Sequence, residues 1–426
     1  MTQRPLAAVE EIVHLPVGRR GLVWALGLGA FGLAFSITIV AAYLPPLLGR
    51  FTSSSVLIAA VISAEGVFAI TLPLVVGPWS DTFYTPFGRR RPFMLAALAP
   101  MSFCLTLVAF VPRFWTTALI VFAFYFAYYV YEPPYRGLYP DVLPRSVYGR
   151  AQSVQHLMRG LALGVALVGG GFLFHVWRPS PFLLAAAVTA AACGAAIVFV
   201  REERGHRRVF EGVRIYLSRS VDIVRSEPYV RRFLIANTAW ETTFAAARTF
   251  VVLYFVKGLH QPLSTSSAVL AVISVGYVVA AIGSGPIGDR IGLSRVIFVA
   301  SLVYGSGYVV AGLAQTWHDW YYAAIFPVAI AGGTVMTLAW GLLFKLMPAQ
   351  HRGAVSGIAV MTKGIGLLFG PLVAGGAIDL LSSYLSATNG YQILWPICGL
   401  PILAVAPLVY SLIRVEPIGP TGAQPV

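Results

Sequence analysis

The residues Gly77-Pro-Trp-Ser-Asp81, followed by Gly88-Arg-Arg-Arg-Pro-Phe93, form the most strongly marked stretch of this sequence. The stretch combines a carboxylate, three arginines and helix-breaking residues, and long apolar segments lie on both sides of it. A shorter copy, Gly285-Pro-Ile-Gly-Asp289-Arg290-Ile-Gly292, recurs in the second half of the chain. A charged hairpin repeated between hydrophobic segments indicates a membrane protein built from two related halves.

The composition excludes a soluble protein of this length. The chain has 426 residues, of which 58% are hydrophobic and 11% charged, and its mean hydropathy is +0.78. So little charge cannot cover a water-facing surface, and most of the surface must therefore face lipid. The net charge of +14 does not indicate nucleic-acid binding, because the arginines lie in short loops between apolar segments. The three cysteines lie in apolar stretches without C-x-x-C spacing, so neither disulfides nor a metal site is expected.

Twelve segments are long and apolar enough to cross a membrane, since a transmembrane helix needs about 20 mostly apolar residues. Lipid allows only helices or closed barrels, and runs of this length exclude a barrel. The predicted fold is an all-α integral membrane protein with twelve transmembrane helices in two pseudo-symmetric six-helix bundles. The predicted spans are 22–44, 56–76, 93–111, 117–135, 151–174, 182–200, 233–256, 268–285, 296–314, 321–344, 354–378 and 391–413.

The placement of lysine and arginine predicts the orientation. With the N-terminus inside, 22 cationic residues fall in cytoplasmic segments, four lie outside and four lie within helices. Cytoplasmic loops of membrane proteins carry an excess of cations, so both termini are expected in the cytoplasm. The predicted parts are an N-terminal tail at 1–21, an N-terminal bundle at 22–200, a basic cytoplasmic linker at 201–232, a C-terminal bundle at 233–413 and a C-terminal tail at 414–426.

Parallel repeats of six helices are typical of the major facilitator architecture, and this resemblance covers residues 22–413. The first hairpin is longer than the common facilitator pattern G-x-x-x-D-R-x-G-R-[RK]. Its Ser-Asp followed by Gly-Arg-Arg-Arg-Pro-Phe resembles the sucrose/proton symporters and the glycoside–pentoside–hexuronide:cation symporters. Pro134-Tyr-Arg136-Gly-Leu-Tyr-Pro-Asp141 also resembles the P-x-R-A-L-x-A-D segment of the sucrose symporters. The chain departs from these families at Thr82, where arginine is usual, and at Gly137 and Pro140, which replace alanines.

The resemblance implies that the two hairpins form a cytoplasmic gate. Asp81 would pair with cations or a helix N-terminus across the bundle interface when that side is closed, and the arginines would hold neighbouring helix ends. A purely topological role of the loop would explain the arginines but neither Asp81 nor the spaced glycines. The gate candidates are Gly77, Asp81, Gly88, Arg89, Arg90, Asp141, Asp289 and Arg290.

Glu132 and Arg136 are charged residues inside the fourth predicted helix. Such residues cost about 2.5–3.5 kcal/mol each on insertion scales and are therefore functional candidates. Four residues apart, they share one face and can neutralise each other, and Tyr128 and Tyr135 lie on the same stripe. Pro133-Pro134 is expected to break the helix there. Aromatic rings beside a carboxylate and a guanidinium suit a sugar, and a structural intrahelical ion pair is the alternative.

Five further charged residues lie inside predicted helices. Mutual pairing around a central cavity is the simplest electrostatic explanation, and a carboxylate at the midplane could then bind and release a coupling proton. Glu241 is the first candidate for the proton carrier, followed by Glu132 and Glu65. For each of them a structural role as the partner of a nearby cation is the alternative. The remaining cationic candidates are Arg159, Arg248 and Lys363.

These features predict a multi-pass secondary active transporter that works by alternating access. The expected function is the proton-coupled symport of a sugar or glycoside across a bacterial plasma membrane, by a monomer, with no cofactor besides the coupling ion H⁺. The alternative is a proton-coupled exporter of drug-like amphipathic molecules. Exporters of this fold often carry a proline–glycine motif on helix 5, and Gly169-Gly-Gly171 lacks the proline, although helix 11 has Gly370-Pro371. An enzyme is not expected because the sequence has no metalloprotease, P-loop or nucleophile-elbow motif, and the two-bundle repeat disfavours a channel.

Overall fold

A computed structural model describes residues 17–83, 85–111, 113–143, 148–200, 218, 221–222, 224–346 and 352–416. Within these residues the regular structure is helical, apart from an isolated bridge between Thr85 and Gly88. A π-helical turn, Tyr254–Gly258, extends the seventh helix. The twelve long helices are α1 (Val17–Leu48), α2 (Ser55–Thr82), α3 (Arg91–Val108), α4 (Phe114–Val142), α5 (Tyr148–Val176), α6 (Ser180–Phe199), α7 (Pro228–Leu253), α8 (Leu263–Ile291), α9 (Leu293–Ala311), α10 (Tyr321–Leu346), α11 (Arg352–Leu381) and α12 (Leu394–Leu412).

Eleven of these helices contain a window that is long and apolar enough to span a membrane, and α7 is the exception. The sequence of α7 includes Arg231, Arg232, Glu241 and Arg248, which lower its hydropathy. The helix is nevertheless well packed, since Trp240 is fully buried and Glu241 is 7% exposed. The polar groups of α7 are thus shielded by neighbouring helices rather than by an apolar sequence of its own. The predicted all-α membrane fold with twelve helices is confirmed.

The contacts divide the chain into two compact units. Unit 1 comprises Met1–Val40 and Thr71–Phe210, and unit 2 comprises Ala41–Ile70 and Glu211–Val426. Within unit 1, α3 packs against α4 and α6. Within unit 2, α7 packs against α11 and α12, α8 against α10, and α9 against α10 and α12. Unit 2 therefore includes the end of α1 and the beginning of α2, while the predicted bundle boundaries stay a prediction.

The packing repeats between the two halves of the sequence. The pairing of α3 with α4 and α6 in unit 1 corresponds to the pairing of α9 with α10 and α12 in unit 2. Each repeat also has a glycine with a positive φ angle shortly before its third helix. These are Gly88 at 109° and Gly292 at 97°, a conformation that side chains other than glycine rarely adopt. The internal repeat seen in the sequence thus extends to helix pairing and backbone conformation.

Glycines bring α7 and α11 into close contact. A Cβ atom at Gly366 would lie 2.6 Å from the carbonyl carbon of Glu241, and one at Gly370 would lie 2.3 Å from the carbonyl oxygen of Thr242. The spacing Gly366-x-x-x-Gly370 is the pattern that allows two membrane helices to approach each other at the backbone. The polar face of α7 is therefore held directly against α11.

The prediction that Pro133-Pro134 breaks the fourth helix is wrong. The helix α4 continues without interruption through both residues, from Phe114 to Val142. A proline removes only one backbone donor from the ladder, and membrane helices tolerate this because neighbouring groups satisfy the freed carbonyl. Glu132 and Arg136 therefore stay on one regular helix.

Candidate functional site

The first charged hairpin contains a tight turn at residues 85–88. The backbone N–H of Gly88 donates to the Thr85 carbonyl at 3.1 Å, and the Thr85 N–H donates to the Gly88 carbonyl at 3.3 Å. The Thr85 hydroxyl adds a bond of 2.7 Å to the same Gly88 carbonyl. In the second hairpin, α9 begins directly after Gly292 without such a turn. The extra residues of the first hairpin are thus used for a closed turn that aims Arg89 and Arg90 at the neighbouring helix.

Both of these arginines bind one carboxylate at the end of α4. Arg89 Nη2 lies 2.8 Å and Arg90 Nε 2.6 Å from Asp141 Oδ2, and the two arginines are 8% and 5% exposed. Arg90 crosses α4 directly over Gly137, where an added Cβ atom would lie 1.8 Å from Arg90 Nη1. The glycine that replaces the alanine of the sucrose-symporter pattern therefore has a physical reason. It leaves room for the Arg90 guanidinium.

The other gate candidates are less fully defined. The side chains of Asp81 and Asp289 lie outside the part of the chain that the structure describes. Gly77 on α2 faces Pro133 of α4, whose Cβ atom would be 4.0 Å from an added Cβ. Arg290 is exposed in the last turn of α8. The gate role of all these residues therefore stays a prediction.

The second hairpin is held by Glu416, which the sequence analysis missed. Its Oε1 accepts from the backbone N–H of Leu293 at 2.8 Å and its Oε2 from that of Ser294 at 2.7 Å, so it caps the first turn of α9. Lys345 Nζ lies 3.0 Å from the same carboxylate. Burial alone would raise the pKa of Glu416, but the Ser294 and Leu293 N–H groups and the Lys345 ammonium outweigh it and hold the pKa below its usual value. The sequence feature that could have indicated this role is the position of Glu416, a single carboxylate just after the last apolar span.

The expected ion pair on α4 is present. Arg136 Nε lies 2.5 Å from Glu132 Oε1, and the Glu132 residue is 8% exposed. The Arg136 side chain is 42% exposed although it lies within the span. Because a guanidinium against lipid is costly, its accessible part is suited to a water-filled cavity. Such a group can donate several hydrogen bonds to a polar solute.

Tyr135 has contacts of a different kind. It is 1% exposed, and its hydroxyl donates to the carbonyl of Leu26 on α1 and lies 2.9 Å from the hydroxyl of Tyr139. An added Cβ at Gly29 of α1 would lie 2.6 Å from the Tyr135 ring. These contacts join α4 to α1. The substrate role of Tyr135 stays a prediction, while its observed contacts are those of a helix-packing residue.

Glu65 and Arg248 form a second ion pair inside the span, and both belong to unit 2. Arg248 Nη2 on α7 lies 2.7 Å from Glu65 Oε2 on α2, and their side chains are 16% and 3% exposed. Removing one partner of such a buried pair usually destabilises a protein, because the other charge stays in a low-dielectric environment.

The remaining candidates are distributed over three helices. Glu241 lies on the face of α7 that packs against α11, and its charge also acts on Tyr304 of α9. Lys363 is partly buried on α11. Arg159 on α5 is partly buried. Within the described residues, no group of three or more His, Cys, Asp or Glu side chains could hold a metal ion.

Comparison with known proteins identifies the family. The sequence model of the Major Facilitator Superfamily matches residues 26–259 and 242–425. The chain therefore belongs to the Major Facilitator Superfamily. Its members are membrane transporters of small molecules rather than enzymes, and the chain is a multi-pass membrane protein of that family.

Individual relatives are distant. The tetracycline resistance protein, class G, of Vibrio anguillarum is 23% identical over 91% of this chain and 97% of its own length. An uncharacterized MFS-type transporter of Mycobacterium tuberculosis is 28% identical over 35% of this chain, and the match spans 21% of that protein's length. Among solved structures, a bacterial homolog of the human lysosomal transporter Spinster, in an inward-facing and occupied conformation, matches with a TM-score of 0.75 at 13% identity. That match covers 95% of this chain and 98% of the Spinster homolog. This likeness shows the fold alone.

Proposed function

We propose that the chain is a proton-coupled symporter of a sugar or glycoside in a bacterial plasma membrane, and that it works as a monomer. The observation that carries this proposal is the Glu132–Arg136 pair on α4, with its partly exposed guanidinium. A carboxylate that accepts and a guanidinium that donates match neighbouring hydroxyls of a sugar ring. Tyr128 lies one turn before Glu132 on the same face of α4, and we propose that its ring stacks against the ring carbons once the site opens. The resemblance of the first hairpin to sugar symporters supports the same substrate class.

The coupling ion is proposed to be H⁺, carried by a carboxylate inside the span. Glu241 is the first candidate because it is buried on the most polar spanning helix. Glu132 and then Glu65 are the next candidates, and each forms an ion pair with an arginine, Arg136 and Arg248 respectively, that protonation would weaken. A carrier of this kind must exist in both protonation states during the transport cycle.

Radiolabelled uptake and exchange in reconstituted vesicles test the two roles separately. Glu132→Gln weakens the hold on Arg136, so we expect both gradient-driven uptake and solute exchange to fall by about tenfold or more, as for the loss of one charge-assisted hydrogen bond. Glu241→Gln, if Glu241 carries the proton, is expected to abolish uptake driven by an imposed proton gradient while exchange without a gradient continues.

Asp319→Asn is the matched control for these variants. Asp319 is an exposed carboxylate in the loop before α10, and its recorded partner is the indole N–H of Trp317 at 3.1 Å. Its replacement should leave uptake and exchange unchanged. A Glu132→Gln protein that takes up the same mono- or disaccharide at the parental rate would remove α4 from the proposed binding site.

Export of amphipathic compounds is the second candidate function. It is favoured by the likeness to the tetracycline resistance protein, which extends over 91% of this chain. The same vesicles distinguish the two. Proton-driven efflux of hydrophobic cations, without accumulation of any sugar, would establish the exporter and rule out the symporter.

A further inference from the structure

The hairpin that joins α1 and α2 is bound at both of its helix ends by residues from the second half of the chain. The hairpin lies in unit 2, together with its partners Asp379 on α11 and Lys257 after α7. In the predicted orientation it faces the outside of the cell. The cytoplasmic hairpins already described lie at the opposite helix ends.

Asp379 caps the first turn of α2. Its Oδ1 accepts from the backbone N–H of Ser55 at 2.8 Å, and its Oδ2 accepts from that of Val56 at 3.0 Å and from the Ser54 hydroxyl at 2.8 Å. The N–H groups of a first helical turn have no partners within the helix, and the helix dipole is positive there, so an anion is favoured. All three bonds are made to a single side chain that lies 325 positions away in the sequence from Ser54.

Lys257 makes the complementary contact at the end of α1. Its Nζ donates to the carbonyl of Gly49 at 3.3 Å, directly after the last residue of α1. The C-terminal end of a helix is negative, so an ammonium group is favoured there. The backbone of Lys257 is itself fixed, because Asn389 Nδ2 donates to its carbonyl at 2.9 Å. Each end of the hairpin thus meets a side chain of the opposite charge.

Behind these charges, α2 lies against α11 over about three turns. An added Cβ at Gly375 would lie 2.7 Å from the Ser55 carbonyl oxygen, and one at Gly66 would lie 2.4 Å from the Leu368 nitrogen. Contact this close leaves no passage for a solute between the two helices. The charged contacts lie at the outer edge of this seal.

We propose that Asp379 and Lys257 form an outer clamp that keeps the extracellular side closed, and that the clamp breaks whenever the transporter opens outward. In a transporter of this family, the binding site is exposed to one side of the membrane at a time. The hairpin comes from the first half of the sequence and its partners come from the second, so outward opening requires them to separate. The clamp depends on the family and not on the proposed sugar, and its test does not need a substrate.

The test measures how fast a buried position on α2 becomes accessible from outside. Ser63 is 1% exposed and lies two turns inward from the clamp, and Ser63→Cys places a thiol there. The three native cysteines are buried, and the parent without Ser63→Cys gives the background. A membrane-impermeant maleimide is added outside right-side-out vesicles. We expect Asp379→Asn to raise the labelling rate about tenfold, because a charge-assisted cap is lost, and Lys257→Gln to raise it in the same direction.

Asp319→Asn changes an exposed carboxylate that bonds to Trp317 and has no recorded bond to the α1–α2 hairpin, so it should leave the rate unchanged. Ser54→Ala removes the hydroxyl bonds to Asp379 and to the Leu57 N–H but keeps both backbone bonds to Asp379, so it should give a smaller increase and provides a mild variant if the charge changes impair folding. Elution as a single sharp peak in size-exclusion chromatography confirms that each variant is folded. The clamp would be overturned if every variant that folds, among Asp379→Asn, Lys257→Gln and Ser54→Ala, were labelled at the parental rate.

Discussion

At the scale of single residues, the structure explains why Gly137 stands where the sucrose-symporter pattern has alanine. In the sequence it was only a glycine in place of an alanine. In the structure the Arg90 guanidinium passes directly above Gly137 to reach Asp141. The two arginines could be recognised from the sequence, and their partner Asp141 was among the gate candidates. The close approach of Arg90 to the α4 backbone could not be predicted, because it depends on how two helices cross.

Gly137→Ala should therefore destabilise the protein. The new Cβ would lie 1.8 Å from Arg90 Nη1, so the guanidinium must move away from Asp141 and leave a buried charge poorly paired. We expect a loss of about 1–3 kcal/mol in stability and a clear fall in Tm. Thermal unfolding in detergent, followed by tryptophan fluorescence, measures it.

Gly160→Ala on α5 is the control for that substitution, since a Cβ there has no heavy atom within 4 Å. It should be neutral, or stabilising by about 0.5–1 kcal/mol, as is usual for alanine in a helix. Equal Tm values for the two alanine variants would show that Arg90 does not need the space above Gly137.

At the scale of helices, the sequence predicted the elements well and their partners poorly. The apolar windows located all twelve helices, but α7 begins at Pro228 rather than at 233 and α11 extends to Leu381 rather than 378. Hydropathy measures the part of a helix that faces lipid, whereas a helix continues until its backbone ends are capped. The caps provided by Asp379 and Glu416 come from distant segments, so no local pattern reveals them.

The cap of α9 should make stability depend on pH. The pKa of Glu416 is held below its usual value in the folded protein, so its contribution is fully present above the unfolded pKa of about 4.3 and is lost as the pH falls through the folded value. We expect Glu416→Gln to lower stability by about 1–2 kcal/mol at neutral pH, as for a lost helix cap. The difference from the parent should shrink as the solution is acidified below about pH 4.

Glu227→Gln provides the comparison for this measurement. Glu227 also precedes a helix, α7, but its side chain makes no capping hydrogen bond. Its replacement should change Tm little at any pH. If the gap between parent and Glu416→Gln stayed constant down to the acid limit, the ionised cap would not be the source of the stability.

At the scale of the whole molecule, the internal repeat was the most informative property of the sequence. The two hairpins predicted a duplicated fold, and the two units repeat their helix pairings accordingly. The pairing of the charged residues inside the span was harder to predict. Glu132 and Arg136 were found because they are neighbours on one helix, whereas Glu65 and Arg248 are 183 positions apart and meet only through packing.

The orientation in the membrane is a further prediction at this scale. With both termini inside, the loop that contains Asp319 lies outside and the basic linker lies in the cytoplasm. Alkaline phosphatase fused after Asp319 should be active in cells, and the same enzyme fused after Gly205 should be inactive. Activity of the Gly205 fusion would reverse the orientation and would place the proposed outer clamp on the cytoplasmic side.

The position of Glu416 also bears on how the protein is made. The residue lies beyond α12, yet it completes the first turn of α9, which is synthesised more than a hundred residues earlier. During translation, α9 must therefore enter the membrane before Glu416 can cap its first turn. Lys345 is likewise synthesised before its partner Glu416. The second hairpin can therefore reach its final form only after the segment that follows α12 has been synthesised, whereas Asp141, the partner of the first hairpin, is available much earlier.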